Sequence, residues 1–568
     1  MKCISVLLAF ALLVNAAARA AAPLPVRATH AMVVTEEHYA SQVGVDMLKS
    51  GGNAVDAAVA VGYALAVVDP CCGNIGGGGF MLVRMHDGRE RFIDFREKAP
   101  LRATRDMYLD KQGRVVPGLS TKGYLSVGVP GTVMGLERAR TEFGTFARAR
   151  LLAPAIALAR GGYVLRPGDV AIYRDGMNDF LKNKNARAIF TNGGTPLRSG
   201  QRLAQSNLAA TLSLIAKDGP SAFYHGPIAA SIVAASRANG GILSLADFAK
   251  YTVDEQTPLH CDYRGYRIIS SPPPSSGGAT MCEILNIASG FPLGVYGWNS
   301  VRAIHDTVEA ERRAYVDRNT YLGDPSFVSN PLAQLLSPDY AAKLRAEIQP
   351  NRATPSVDVK PGLGPLPAGA PSEGNNTTHF SIVDKAGNAV AVTYTINDFF
   401  GSGMIAGDTG FFLNDEMDDF TSKPGVPNMF GLVQGERNAI APGKRPLSSM
   451  APTIVTRNGK LFMVTGSPGG SRIITITLAT IQNVIDYGMN VQQAVGAPRI
   501  HHQWLPDVIE YEPGALTTQT QTTLAKMGYR FRLVRSWGSA QSIVVDPKTG
   551  AYYGGTDPRR SQGAAIGY

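Results

Sequence analysis

Apolar residues recur at helical spacing over residues 38–48, and the pattern breaks at Gly51-Gly52. Asn53 then stands where its side chain can cap a second helix over 54–67, which is apolar on every side and therefore expected to be buried. Past Gly76-Gly77-Gly78-Gly79 the period shortens, and 80–85 and 91–95 read as strands joined by the turn His86-Asp87-Gly88. Helical patterns dominate from Pro130 to about Ala346, including 132–142, 151–159, 207–217 and 301–321, with one β-like stretch near 263–270.

The pattern then lapses. Residues 349–376 carry six prolines and four glycines among 28 positions and few large apolar groups, too little to offset ordering entropy, so a mobile, exposed segment is expected. Its far edge is abrupt. Residues 378–383, the turn 384–388 and residues 389–396 form the clearest β-hairpin in the chain. A second hairpin, 453–456 with 461–464 around Asn458-Gly459, leads to Gly466-Ser467-Pro468-Gly469-Gly470 and a helix from 471 to about 487. Further strands are expected around 546–550, making the last portion sheet-rich.

Composition narrows the class. With 568 residues, 44% hydrophobic and 18% charged, the chain is long and apolar enough for a large core in one or two domains. Residues 1–20 read as an export signal: Lys2, an apolar run over 4–14, and Ala18-Arg19-Ala20 as a small-x-small cleavage site. No later window is apolar over a membrane-spanning length, so no anchor is expected after signal removal, and the expected location is periplasmic or secreted. The net charge of +10 is dispersed, its densest spots being Glu311-Arg312-Arg313 and Pro558-Arg559-Arg560, which argues against a nucleic-acid surface. Cys3 leaves with the signal. Of the remaining cysteines, Cys261 and Cys282 could pair in an oxidising compartment, whereas the neighbours Cys71 and Cys72 are not expected to pair with each other.

Familiar catalytic signatures are missing. The glycine run lacks G-x-G-x-x-G order, and there is no G-x-x-x-x-G-K-[ST], H-E-x-x-H, paired C-x-x-C or G-x-S-x-G. His305 with Glu309, and His501-His502, read as packing or surface residues rather than metal ligands, and no metal or cofactor is implied. What remains is the junction Asn376-Thr377. A threonine hydroxyl is a weak nucleophile, but a cut before it would place an α-amino group of pKa near 8 on the same residue to act as its base. A pliable segment before the junction and a rigid strand after it suit such a cut.

Thr377-Thr378-His379-Phe380-Ser381-Ile382, with 387–397 (GNAVAVTYTIN) and Phe400-Gly401, resembles the signature of the gamma-glutamyltransferases (gamma-glutamyl transpeptidases), a family of N-terminal-nucleophile hydrolases. The resemblance extends over Gly51-Gly52-Asn53-Ala54-Val55-Asp56, Asp94-Phe95-Arg96-Glu97, Pro272-Pro273-Pro274-Ser275-Ser276-Gly277-Gly278, Arg445-Pro446-Leu447-Ser448-Ser449-Met450 and Gly466-Ser467-Pro468-Gly469-Gly470-Ser471. It implies an α+β fold, a four-layer αββα sandwich built jointly by two subunits. Self-cleavage between Asn376 and Thr377 would give a large subunit, 21–376, and a small catalytic one, 377–568, forming a heterodimer.

The same resemblance implies Thr377 as nucleophile, Thr395 as its orienting partner, and the N–H groups of Gly469 and Gly470 as an oxyanion hole. Arg96 with Ser448 and Ser449 would hold the glutamyl α-carboxylate, and Asn397, Glu416 and Asp419 the α-amino group. The expected donors are glutathione and other γ-glutamyl compounds; the acceptors are water, amino acids or dipeptides. Two residues depart from the pattern: Glu416 stands where several bacterial relatives have Gln, and Phe430, within a lid segment at 424–435, stands where Tyr often bonds the Asn matching Asn397. A looser lid, admitting more water to the acyl-enzyme, is expected. Two other readings stay open: a related acylase for glutaryl, cephalosporin or poly-γ-glutamate substrates, and an inactive exported amino-acid-binding protein.

Overall fold

The computed structural model describes residues 24–364 and 377–568. The expected signal segment and residues 365–376, with Asn376, lie outside the described residues. Four strands come early: β1 (Val26–Ala28), β2 (Met32–Thr35), β3 (Gly78–Arg84) and β4 (Glu90–Asp94). After a long helical stretch follow β5 (Asp254–Gln256), β6 (Leu259–Tyr263) and β7 (Tyr266–Ser270). The remaining strands of the two large sheets are β8 (Thr378–Val383), β9 (Ala389–Thr395), β10 (Thr453–Arg457), β11 (Lys460–Thr465), β12 (Gln541–Val545), β13 (Tyr552–Thr556) and β14 (Ala564–Gly567).

Antiparallel pairing assembles these into two seven-stranded sheets, one in the order β14-β2-β8-β9-β3-β4-β5 and the other β1-β13-β12-β11-β10-β7-β6. Because successive side chains on a strand point to opposite faces, each sheet feeds two cores. Val33, Val83, Phe380 and Val392 of the first sheet lie under helices that include α1 (His38–Lys49) and α2 (Ala54–Val68). Val34, Leu82, Val383 and Ala391 turn the other way and meet Ile269, Ile454, Val464 and Ile543 of the second sheet. The outer face of that sheet carries α3 (Gly277–Ala288), α4 (Val301–Tyr321) and α5 (Ile473–Ile485), packed on Ile268, Val455 and Met463. The result is the αββα layering expected of the family.

Local chemistry explains the main elements. Asn53 Oδ1 accepts from the N–H groups of Val55 and Asp56 while Asp56 accepts from Asn53 N–H, so α2 starts on a reciprocal cap, and all fifteen of its residues are buried. Asp384 closes the β8–β9 turn by accepting from the N–H groups of Ala386 and Asn388. β2 was not anticipated from the sequence, because four consecutive buried residues show no alternation. It flanks β8 directly, with Thr35 opposite Phe380 and Met32 opposite Val383.

Two expectations are corrected. Residues 353–363, expected to be loose, are tied along α4: Thr354 Oγ1 donates to Glu309 (2.6 Å), Gly362 N–H to Asp317 (3.0 Å), and Leu363 N–H to Tyr321 Oη (2.9 Å). Ser356 N–H donates to Asp507, which also pairs with Arg312. Polar groups on one helix supply the order that apolar burial could not. The second correction concerns the cysteines: Cys71 and Cys72 are bonded to each other, and Cys261 to Cys282. The carbonyls of Cys71 and Cys72 accept from Phe400 and Ile396 N–H, so this pair braces the loop after β9.

His305 is hydrogen-bonded by Gln349 and Tyr529, and His501 by Thr475 and Gln503, inside the fold. Among the described residues no helix is long and apolar enough to cross a membrane.

Candidate active site

The β8–β9 register opposes Thr378 to Tyr394, so the next pair outward is Thr377 and Thr395, at the open end of the hairpin. Thr377 Oγ1 donates to Thr395 Oγ1 at 3.3 Å, and Asn397 N–H donates to the same Thr395 oxygen at 2.9 Å. The glycine run explains how the neighbouring chain reaches this point. β3 pairs Gly78 with Thr395, and a Cβ on Gly77 would lie 1.8 Å from the Thr395 carbonyl oxygen. Only glycine permits that approach. Asn397 itself has a left-handed backbone (φ 74°), and its Nδ2 donates to the Asp415 carbonyl.

These residues open on a cleft of about 290 Å³. Arg96, Thr377, Thr395, Asn397, Glu416, Asp419, Ser448, Ser449 and Gly470 all line it, joined by Phe430, Leu447 and Ser471. The sequence-predicted set is therefore brought together, with Gly469 one residue behind in a surface groove beside Trp537, and Asn376 undescribed.

At one end stands a buried charge cluster. Arg96 donates through Nη1 to Glu416, through Nη2 to Asp419, and through Nε to the Pro446 carbonyl (3.3 Å), with Glu97 3.6 Å away. Against the downward pull of burial, these carboxylates hold the guanidinium above its ordinary value. Burial in turn raises Glu416 and Asp419, with Arg96 pulling both back, and pushes Glu97 up to about 7. Three carboxyl groups thus surround one cation. His379, on β8, is pulled down to about 3 by burial and stays neutral.

Two serines also line the cleft. Ser448 Oγ accepts from Met450 N–H (3.1 Å) and Ser449 Oγ from Arg318 (3.0 Å). A parallel bridge between Ser448 and Ser275 ties this strand to the Pro272–Gly278 turn. Gly469 (φ 141°) and Gly470 (φ 56°) adopt backbone that side chains disfavour and lead through a 3₁₀ turn into α5. Helix N-terminal amides beside a cleft favour developing negative charge.

The 424–435 segment contributes Phe430 and Leu432 to the cleft wall. Asn428 Oδ1 accepts from Phe430 and Leu432 N–H, Asp418 accepts from Met429 N–H, and the Phe430 carbonyl accepts from Gln503. Met429 Sδ lies 3.6 Å from Asn397 Nδ2, while the Phe430 ring packs into the helix core beneath. Arg318 and Glu97 escaped sequence reasoning as site residues, since neither sits in a spacing that signals chemistry. Asp69, Cys71 and Cys72 cluster with metal-ligand types, but the two sulfurs are spent on each other.

The αββα layering, with the Thr377–Thr395 hydroxyl pair at the open end of its central hairpin, is that of an N-terminal-nucleophile hydrolase. The family model described as Gamma-glutamyltranspeptidase matches residues 40–567. A glutathione hydrolase proenzyme of Pseudomonas sp. (strain A14) is 56% identical over 558 residues, covering 97% of this chain and 96% of the relative. Its counterpart from Escherichia coli (strain K12) is 49% identical over 547 residues, covering 96% and 93%. Among solved structures, a cephalosporin acylase from Bacillus halodurans superposes with a TM-score of 0.84 at 29% identity, covering 96% of this chain and 97% of that one. The chain belongs to the gamma-glutamyltranspeptidase family and is an enzyme that hydrolyses and transfers γ-glutamyl groups.

Proposed function

We propose that the protein matures by cutting itself between Asn376 and Thr377 and then hydrolyses glutathione and related γ-glutamyl compounds, or passes the glutamyl group to amino acids and dipeptides. The observation that carries this reading is the Thr377–Thr395 hydroxyl pair, set in a cleft lined by Arg96 with its acidic partners and by two serines. In the mature form the Thr377 α-amino group takes the hydroxyl proton as oxygen attacks the γ-carbonyl carbon. Thr395 orients the hydroxyl, and amides at Gly469-Gly470 stabilise the oxyanion. Collapse expels the amine, which takes up the proton, and leaves an ester on Thr377. Water or an acceptor amine then attacks that ester by the same steps in reverse.

Glu416, Asp419 and Asn397 receive the α-ammonium group, and Arg96, Ser448 and Ser449 the α-carboxylate. The name proenzyme carried by the relatives supports a processed precursor, with large and small subunits remaining together. The sheet order supports the same assembly, because β8 of the small subunit lies between β2 of the large one and β9. The leader-like first twenty residues support export to the periplasm or medium. A γ-glutamyl anilide and a glutaryl anilide, which lacks only the α-amino group, separate this reading from an acylase. Preference of at least about a hundredfold for the γ-glutamyl compound is expected from losing one buried ion pair; equal turnover overturns the amino-acid reading.

A further inference from the structure

The two arginines near the cleft are differently matched. Arg96 spends both terminal nitrogens on carboxylates. Arg318, on α4, is buried and has neutral partners: Nε donates to Ser276 Oγ (2.9 Å), Nη1 to Asn319 Oδ1 (2.8 Å) and Gln434 Oε1 (3.4 Å), and Nη2 to Ser449 Oγ (3.0 Å). Among the described residues no carboxylate lies within ion-pair distance of it. Burial pulls the guanidinium down to about 10, with Tyr315 and Asp419 pulling the other way, so it remains a cation at neutral pH. A buried cation without an anion is costly to keep. Here it is separated from the cleft by one hydroxyl group.

That hydroxyl has a single hydrogen. Since Ser449 Oγ accepts from Arg318, its hydrogen is left to donate, and Ser449 lines the cleft. Ser448 is set the same way, its oxygen accepting from Met450 N–H. We propose that Arg318 is the positioning residue for recognition of the donor's α-carboxylate: it locks Ser449 as a hydrogen-bond donor into the cleft and supplies the positive charge that the carboxylate meets. Arg96 keeps its place on the carboxylate, but Glu416 and Asp419 already match its charge, and Arg318 adds to it through Ser449. The inference rests on placing the α-carboxylate at Ser448 and Ser449.

The test uses the purified self-cleaved protein, so that maturation reports folding. KM and kcat are measured for a γ-glutamyl anilide and for its α-carboxamide analogue, which keeps the ammonium group but lacks the anion. Arg318→Gln and Arg318→Lys are expected to raise KM for the carboxylate donor about tenfold or more, the scale of one charge-assisted contact, with kcat changed far less. The carboxamide donor should be nearly unaffected, so selectivity between the two falls. Ser449→Ala should act alike, and Arg318→Gln combined with Ser449→Ala should be no worse than either alone. If Arg318→Gln fails to mature, Arg318→Lys, which keeps the charge but changes the hydrogen-bond geometry, gives the same KM and selectivity readout. Unchanged selectivity in the mature Arg318 variants, or effects that multiply in the double variant, overturn the inference while Ser449→Ala still weakens the carboxylate donor. A Ser449→Ala enzyme with unaltered KM overturns the underlying placement of the carboxylate.

Discussion

Thr377 and Thr395 face each other just beyond the last rung of the β8–β9 hairpin, their hydroxyl oxygens 3.3 Å apart, with Asn397 N–H donating to the second oxygen. The Thr395 hydroxyl is therefore held by backbone. Thr395→Val keeps the shape and removes the hydroxyl. A hydrogen bond to a group that becomes charged contributes roughly 1.5–3 kcal/mol, so kcat should fall about 10- to 100-fold, with KM little changed. Steady-state kinetics on the mature variant check this.

Gly77→Ala should damage the same pair from the other side. Its new methyl group would have to share space with the Thr395 carbonyl oxygen, and backbone cannot yield as a side-chain tip can. Overpacking of this kind typically costs 1–3 kcal/mol. A lower Tm together with slower self-cleavage is expected; a protein that matures at the normal rate would show that β3 can shift without moving Thr395.

The charge cluster sets a pH dependence for donor binding. Burial raises Glu416 and Asp419 and lifts Glu97 to about 7, so these acids take up protons at higher pH than ordinary carboxylates. Protonation removes the negative charge that an ammonium group needs, while the donor's ammonium stays charged over this range. KM should accordingly fall as pH rises from about 5 to 7, the window between an ordinary carboxylate and the raised groups. Glu97→Gln removes one competing anion, eases ionisation of the other two and should move the inflection to lower pH. A KM that is flat from pH 5 to 7 would contradict the assignment.

At the lid, Asn397 Nδ2 meets the Asp415 carbonyl and Met429 Sδ, while Phe430 offers a ring with no hydroxyl. Phe430→Tyr adds a polar group at the cleft wall. The ratio of hydrolysis to transfer is expected to drop as the lid closes more tightly over the acyl-enzyme, measured as amine released with and without a dipeptide acceptor.

The hairpin, the capped α2 and the two glycine-rich turns were legible because each has a local signature: alternation, a capping pair, residues that tolerate unusual backbone. The nine expected residues that line the cleft were legible through a resemblance to a family, not through spacing, since Arg96, Glu416 and Ser449 lie far apart in sequence and meet only in the folded chain. What stayed hidden depends on long-range partners. Arg318 reads as one more charge in a mixed helix until Ser276 and Ser449 are placed against it. The bonded pair Cys71-Cys72 and the ordered stretch 353–363 have the same origin: the loop after β9 and the polar face of α4 provide contacts that composition does not display.

The central claim is that Thr377 becomes an N-terminal nucleophile. Denaturing electrophoresis of the purified protein, with N-terminal sequencing of the smaller chain and the Thr377→Ala variant run alongside, tests it most directly. The expected result is a wild-type small chain that begins at Thr377 and an uncut, inactive variant. A small chain beginning elsewhere, or a Thr377→Ala protein that is cut and active, would contradict it.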